Sequence, residues 1–150
     1  MPWPIEVSQT DEITPADIQA TTSVVLYQNG EIVINTSANE WTDLHGGHVG
    51  VVVLLYEPGN PPFWIWTSNT VRYGLDGKWI GTSQITASWS QQVDADTMSK
   101  VGYVAIKHYN APNDAYTDIE AWLNGAQKSF SVVQTIVKDI RSLTGAGGGS

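Results

Sequence analysis

The sequence predicts a mainly β domain: an antiparallel sandwich or barrel of about seven or eight short strands, followed by a long C-terminal amphipathic helix. Over most of the chain, short β-branched and aromatic runs alternate with tight turns, and no helical pattern separates them. One of these runs is apolar in both alternations, which is typical of a central strand. The C-terminal part instead repeats apolar residues at spacings of three and four, which favours a helix.

The clearest strand pair is a hairpin. Residues 23–28 and 31–35 are rich in β-branched side chains and flank an Asn-Gly pair at 29–30, which suits a type I′ turn. An apolar strand covered on both faces is predicted at 48–56. The proline-rich loop 57–62 ends this strand, because proline cannot donate to a β-ladder.

Shorter strands are predicted beyond this loop, at 63–67, 70–73, 78–80, 84–90 and 101–108. The segment 84–90 alternates apolar and polar residues, so one of its faces is expected to be exposed. A polar loop is expected at 94–97. Before the hairpin, Thr14 and Pro15 have the order of an N-cap and a first helical position, which predicts a single helical turn at 14–18.

The C-terminal helix is predicted over about 114–143. Thr117 and Glu120 have the spacing of a capping box, in which the two side chains bond free backbone donors. The apolar stripe that follows has a heptad-like repeat, and its main positions are Ile119, Leu123, Phe130, Val133, Val137 and Ile140. Two alternatives stay open: a helix break at 124–125, and a strand at 129–137, where β-branched residues are frequent.

The length of this helix bears on assembly. An unbroken helix would be about 40 Å long, whereas the rest of the chain, folded compactly, has a radius of gyration of about 14 Å. The helix therefore either pairs with a second copy through its stripe, which gives a homo-oligomer, or breaks near Gly125 and packs on the sheet. Residues 1–144 are predicted to form one domain, and 145–150 a flexible Gly/Ser tail.

Charge and composition exclude several classes of function. The 150-residue chain carries a net charge of −8, and its first cation is Arg72. Nucleic acids and anionic membrane surfaces attract clustered cations, so neither is expected as a partner. The lack of cysteine excludes disulfides and thiol chemistry. No apolar run is long enough to span a membrane and the N-terminus lacks the features of a signal peptide, so a soluble protein is expected, with its compartment left open.

Aromatic residues are the strongest candidates for a binding site. Trp64, Trp66, Tyr73 and Trp79 fall within sixteen positions of one another. Strand alternation predicts that Trp64 and Trp66 share one face, where exposed indoles would stack on a sugar ring or an amphiphile. Polar contacts are expected from adjacent loops, through Glu57, Asn60 and Asp76. The alternative is that both indoles are buried, in the core or beneath the C-terminal helix.

Histidines and acidic residues are weaker candidates for a metal-binding or catalytic site. His45, His48 and His108 are candidate ligands of a metal ion, but two glycines separate the first pair and leave their directions unfixed. Asp94 and Asp96 lack the glycine and the later glutamate of a calcium loop. Solvated or hydrogen-bonded histidines are therefore favoured, and no metal site, cofactor or catalytic residue is predicted.

The sequence thus favours a non-catalytic recognition module that binds a carbohydrate or an amphiphile through its aromatic cluster. The alternative function is a structural protein that assembles through its C-terminal helix. A metal-assisted hydrolase that uses the three histidines is the third hypothesis, and an enzyme is the less favoured class overall.

Overall fold

The computed structural model describes residues 3–13, 18–41, 47–69, 71–75, 82–110, 116–133 and 137–140. Within these ranges the chain forms nine strands in two antiparallel sheets. The strands are β1 (Ile5–Ile13), β2 (Ile18–Leu26), β3 (Glu31–Trp41), β4 (Gly47–Glu57), β5 (Phe63–Thr67), β6 (Val71–Leu75), β7 (Thr82–Gln92), β8 (Tyr103–Asn110) and β9 (Val137–Asp139). The helical segments are α1 (Ala95–Ser99), α2 (Tyr116–Lys128) and a 3₁₀ turn (Phe130–Val132). The predicted mainly β, antiparallel architecture is confirmed.

Sheet A has the strand order β1–β2–β3–β7. The predicted hairpin is confirmed, because β2 and β3 pair from Leu26 and Ile32 onwards. In the turn between them, the Gly30 N–H donates to the Tyr27 carbonyl oxygen at 2.9 Å. β7 contains the predicted half-exposed segment 84–90, and its described side chains alternate between exposed and partly buried. The helical turn predicted at 14–18 falls between β1 and β2, where 14–17 lie outside the described residues and Ile18 is already the first residue of β2.

Gly30 is required by the β2–β3 turn. Its φ is +100°, a backbone conformation that residues with a Cβ rarely adopt. An added Cβ would also overlap the carbonyl oxygen of Val93, whose N–H donates to the Gly30 oxygen at 2.9 Å. We therefore expect Gly30→Ala to lower the free energy of unfolding by about 2 to 4 kcal/mol in urea denaturation.

Gly125 in α2 provides the matched control for this substitution. An added Cβ there would lie 3.7 Å from Val132 Cγ2, an ordinary van der Waals contact. Alanine is the better helix former, so Gly125→Ala should raise the free energy of unfolding by up to about 1 kcal/mol. If both substitutions destabilised the protein equally, the role given to Gly30 would be wrong.

Sheet B is built around β4. β8 pairs with one edge of β4, and β9 pairs with β8, while β5 and β6 follow one another along the other edge. Residues 49–56 of β4 are buried. The central strand predicted at 48–56 is therefore confirmed. Its side chains point alternately into two hydrophobic cores, one on each face of the sheet.

Core 1 is formed by buried side chains of both sheets. Its sheet residues are Ile5, Val7, Ala20, Val24, Leu26, Ile32, Ile34 and Ala38 from sheet A, and Val49, Val51, Val53, Leu55, Val104 and Ile106 from sheet B. The segment around α1 closes one end through Val93, Met98 and Val101. The polar loop expected at 94–97 is instead the start of this short helix. The Asp94 carboxylate accepts a bond from the Thr97 N–H at 2.7 Å, which lowers the pKa of Asp94.

Core 2 covers the outer face of sheet B, and α2 closes it. Its buried residues are Val52, Leu54, Tyr56, Ala105, Ile119, Ala126 and Val133. The Lys107 Nζ lies 5.3 Å from the ring centroid of Trp122, a cation–π contact between β8 and α2. The helix thus packs on the sheet of its own chain. None of the described helices has the length and apolar character needed to cross a membrane.

The long helix predicted at 114–143 is wrong. α2 ends at Lys128, Ser129 is extended with φ −142° and ψ 117°, and the chain then returns to pair with β8 as β9. Phe130–Val132 form a 3₁₀ turn, and the free edge of β8 supplies hydrogen-bond partners for Val137–Asp139. The alternative of a strand at 129–137 is also wrong for Phe130–Val132, which form the 3₁₀ turn, and it overlaps β9 only at Val137. The alternative break at 124–125 is wrong as well, because α2 continues to Lys128.

The predicted oligomer interface does not form one free stripe. Ile119 and Val133 are buried in core 2, whereas Ile140 is buried in core 1, on the other side of sheet B. The other three positions pack, partly buried, against core 2, and they are Leu123, Phe130 and Val137. The end of the helix after Lys128 changes the direction of every later side chain, so the heptad-like face is lost.

Candidate functional site

A β-bulge in β5 sets the directions of its aromatic side chains. The cross-strand pairs are Phe63 with Glu57, Trp64 with Tyr56, Trp66 with Leu55, and Thr67 with Leu54. Ile65 has no partner in this register, so two residues of β5 span one step of β4. An extra residue inverts the alternation of side chains between the two faces of a strand.

The bulge places the two indoles of β5 on opposite faces of sheet B. Trp64 lies across from Tyr56 and packs against core 2, whereas Trp66 lies across from Leu55 and packs against core 1. The prediction that Trp64 and Trp66 share one face is wrong, because it assumed a regular strand. Both side chains are partly buried. The two rings therefore do not form one stacking surface.

Trp64 belongs to a row of aromatic residues across the outer face of sheet B. Trp64, Tyr56 and Tyr103 are successive partners on β5, β4 and β8. The Phe130 ring packs edge-on against two of them, with centroids 5.2 Å from Tyr56 and 5.3 Å from Tyr103. Tyr56 is buried beneath this ring, whereas Trp64, Tyr103 and Phe130 are partly exposed. Partly exposed rings on a buried support form a rigid apolar surface.

Two hydrogen bonds near this row fix its positions. The Tyr56 hydroxyl donates to the Ala126 carbonyl oxygen at 2.7 Å, and burial raises the pKa of Tyr56 to about 12. The Trp64 Nε1–H donates to Thr67 Oγ1 at 2.8 Å, and Gln127 Nε2 donates to the same oxygen at 3.1 Å. These bonds hold the indole plane and the end of α2 in place before any ligand binds.

Phe63 lies next to the aromatic row, at the end of the β4–β5 hairpin. Its side chain is 68% exposed, which is high for so large an apolar group. Phe63 points to the other side of β5 from Trp64, with Glu57 as its cross-strand partner. Asn60 at the tip of the loop is exposed. Pro58 docks the loop against Gly102, where an added Cβ would overlap the proline ring. We call Phe63, Trp64, Tyr103 and Phe130 the aromatic rim.

The structure brings together only part of the predicted site. Trp64, Glu57 and Asn60 lie at or near the aromatic rim. Tyr73 pairs with Val49 through its backbone in β6, but its side chain lies outside the described residues, as do Asp76 and Trp79. Tyr103 was not among the predicted site residues, and Phe130 was predicted to lie at an oligomer interface. The sequence signal that could have identified Tyr103 is its pairing with Tyr56, at corresponding outward positions of β8 and β4.

His108 is buried between the two sheets rather than placed at a surface site. Its Nδ1 lies 2.6 Å from Asp11 Oδ2 and its Nε2 lies 2.7 Å from Thr22 Oγ1, so both ring nitrogens are occupied. His45 and the side chain of His48 lie outside the described residues. Among the residues that the structure describes, no group of three His, Asp or Glu is arranged to hold a metal ion.

Hydrogen bonds connect Asp11, His108 and Thr22 in the order carboxylate, imidazole and hydroxyl, which is the order found in the triad of a hydrolase. Thr22 is 0% exposed, however, so a substrate has no access to its hydroxyl group in this structure. The signal for this buried group was in the sequence, because Thr22 and Thr36 occupy inward positions of β2 and β3 that are otherwise apolar.

Comparisons with known proteins add only distant likenesses. No protein-family model and no curated protein matches the chain. Similar solved structures include a β-glucosidase from Kluyveromyces marxianus, at a TM-score of 0.39 and 9% identity over 74% of this chain and 14% of the other. A β-glucosidase from Listeria innocua, in complex with gluconolactone, has a TM-score of 0.34 and 7% identity over 72% and 16%. The variable domain of the AgI/II polypeptide BspA from Streptococcus agalactiae has a TM-score of 0.21 and 10% identity over 71% and 73%. The chain thus spans a small part of both enzymes, and TM-scores this low assign no function.

Proposed function

We propose that this protein is a non-catalytic recognition module that binds a carbohydrate or another small amphiphile at the aromatic rim. The observation that carries the proposal is Phe63, 68% exposed on an ordered hairpin and adjacent to the fixed indole of Trp64. An exposed apolar patch formed by several side chains is typical of a binding surface. Carbohydrates and small amphiphiles share one chemical feature, a flat apolar face that is bordered by polar groups.

The arrangement of the rim supports a ligand of this kind. Aromatic rings offer broad apolar planes at low entropic cost, since few side-chain torsions must be fixed on binding. Glu57 and Asn60 stand beside these rings and supply acceptors and a donor for hydroxyl groups. A net charge of −8 disfavours anionic ligands. We therefore expect a neutral ligand that lies along the edge of β5.

The scaffold and the remaining predicted residues complete the proposal. We infer that sheets A and B form a sandwich around core 1, which serves as a rigid support for the rim. Tyr73, Asp76 and Trp79 stay predictions for the same ligand. Trp66 is not included, because its ring is partly buried against core 1, whereas Phe63 is exposed.

The first test is a binding titration followed by tryptophan fluorescence. The panel consists of neutral oligosaccharides of glucose, galactose and mannose, and of phosphatidylcholine vesicles. Because Phe63 supplies exposed contact area but no packing, Phe63→Ala should weaken binding of the active panel member by about tenfold or more, with an unchanged melting temperature.

Val132→Ala is the matched control, because Val132 is also exposed, at 40%, but lies outside the rim. This variant should bind like the wild type. A response to an oligosaccharide would identify a carbohydrate ligand, and a response to the vesicles would identify a lipid amphiphile. The proposal is wrong if no panel member changes the fluorescence, or if Phe63→Ala binds as tightly as the wild type.

A further inference from the structure

A chain of hydrogen-bonded polar side chains, buried except for the partly exposed Asp11, joins the two sheets. Asp11, Thr22 and Thr36 come from β1, β2 and β3 of sheet A, and His108 comes from β8 of sheet B. Beyond the two bonds of the imidazole ring, Thr22 Oγ1 lies 2.7 Å from Thr36 Oγ1. Gln9 Nε2 also donates to Asp11 Oδ1 at 3.0 Å. We call the first four residues the inter-sheet network.

Donors and acceptors in this network can be assigned from chemistry. An ionised carboxylate only accepts hydrogen bonds, so His108 Nδ1 must carry the proton that is donated to Asp11. In the neutral ring, Nε2 is then an acceptor, and Thr22 donates to it. The hydroxyl of Thr36 donates in turn to the Thr22 oxygen. Every polar atom along this path is thereby satisfied while the ring is uncharged.

A second proton on the ring would put a charge inside core 1. The His108 side chain is 0% exposed, whereas the Asp11 side chain, at 29%, reaches solvent. The described groups around the ring and its partners are Asp11 from β1, Thr22 from β2, Thr36 from β3, Val51 from β4 and Lys107 from β8. Of these, only Asp11 and Lys107 carry charge. Protonation would also force both threonine hydroxyls to reverse direction.

We propose that the inter-sheet network is an acid-sensitive clasp, which holds β1 and the rest of sheet A against β8 at neutral pH and loosens in acid. The device is independent of the aromatic rim, which lies on the outer face and edge of sheet B. It acts where β1, an edge strand of sheet A, meets β8 through the Asp11–His108 bond.

The sign of the pH dependence follows from burial. Burial lowers the pKa of His108 below its usual range; the hydrogen bond and charge of Asp11 oppose this effect, and the charge of Lys107 adds to it. The unfolded chain therefore takes up a proton at this histidine at a higher pH than the folded chain does. Stability is fully present above about pH 6.5 and falls as the pH drops below that value.

The test is urea unfolding at about pH 7.5 and about pH 5.5, a window in which histidines titrate and most carboxylates stay ionised. For the wild type, the equilibrium constant for unfolding should rise several-fold at the lower pH, with about tenfold as the limit for one histidine. His108→Gln keeps a polar side chain that does not titrate, so most of this rise should disappear.

A double variant, His45→Gln with His48→Gln, is the matched control for the other histidines, and it should keep the wild-type pH dependence. The clasp is refuted if the wild type and His108→Gln respond alike to acid, or if the double variant loses the response.

Hydrogen exchange provides a second readout that needs no variant. After correction for the intrinsic effect of pH, acid should reduce the protection of β1 amides more than that of β3, which lies inside sheet A. Equal protection of β1 at both pH values would overturn the proposal even if His108→Gln failed to fold.

Discussion

Replacing Tyr56 with alanine is expected to lower the free energy of unfolding by about 4 kcal/mol. The Tyr56 side chain is 1% exposed and forms the floor of the aromatic rim, under the ring of Phe130. Its removal would leave a cavity in core 2 and detach the end of α2 from sheet B, because its hydroxyl donates to the Ala126 carbonyl oxygen. The change should be visible in both urea and thermal denaturation.

The comparison with Tyr56→Phe separates packing from hydrogen bonding. Phenylalanine keeps the ring but leaves the Ala126 carbonyl oxygen without this donor, so a loss of only about 1 kcal/mol is expected. Because the rim rests on Tyr56, the alanine variant should also weaken ligand binding at temperatures where it is still folded. A loss below about 1 kcal/mol for Tyr56→Ala would show that α2 does not pack as described.

Ile140→Ala is expected to have the second largest effect, a loss of about 3 kcal/mol. Ile140 is 0% exposed in core 1, although it follows a short edge strand near the end of the described chain. Its N–H donates to the Gly102 carbonyl oxygen at 2.9 Å, which fixes the segment after β9. Deleting three carbon groups from a closed core removes contacts that the surroundings cannot replace.

The same substitution separates an intramolecular role from an interface between copies. We expect the wild type and Ile140→Ala to have the same molar mass in light scattering, measured well below the melting temperature of the variant. Val132→Ala, at an exposed position, serves as the control and should change neither mass nor stability. A lower mass for Ile140→Ala with unchanged stability would instead support assembly through the C-terminal segment.

Part of the fold could be predicted because local patterns and tertiary contacts agree in the β2–β3 hairpin and in β4, whereas β1 was not predicted. The Asn29–Gly30 pair marks the turn, and the two-sided apolar run at 48–56 has the burial that its pattern requires. In both places the preferred backbone conformation is also the one that the neighbouring strands need. Such agreement between levels is what allows a sequence pattern to specify a structure.

The end of the C-terminal helix could not be predicted, because two sequence patterns overlap there. Spacings of three and four continue to Ile140, yet 129–137 is rich in β-branched residues. The choice between them depends on the free edge of β8, which a local pattern does not contain. Tertiary pairing overrides helical periodicity at β9, as it commonly does for short segments.

The candidate site was only partly predictable for a similar reason. One unpaired residue, Ile65, moves Trp66 to the opposite face of the sheet from Trp64, and no turn residue or glycine marks this bulge in the sequence. The partner of His108 is Asp11, far away along the chain, and only the packing of two sheets brings them together. Long-range pairs of this kind leave no local signal.

The most direct test of the central claim is a ¹H–¹⁵N NMR titration with the panel member that gives the strongest fluorescence response. We predict the largest shifts at the Trp64 indole N–H and at backbone amides of 57–64, with the Trp89 indole, which packs against core 1, unchanged. Shifts confined to sheet A, or a Trp89 response as large as that of Trp64, would show that the aromatic rim is not the binding surface.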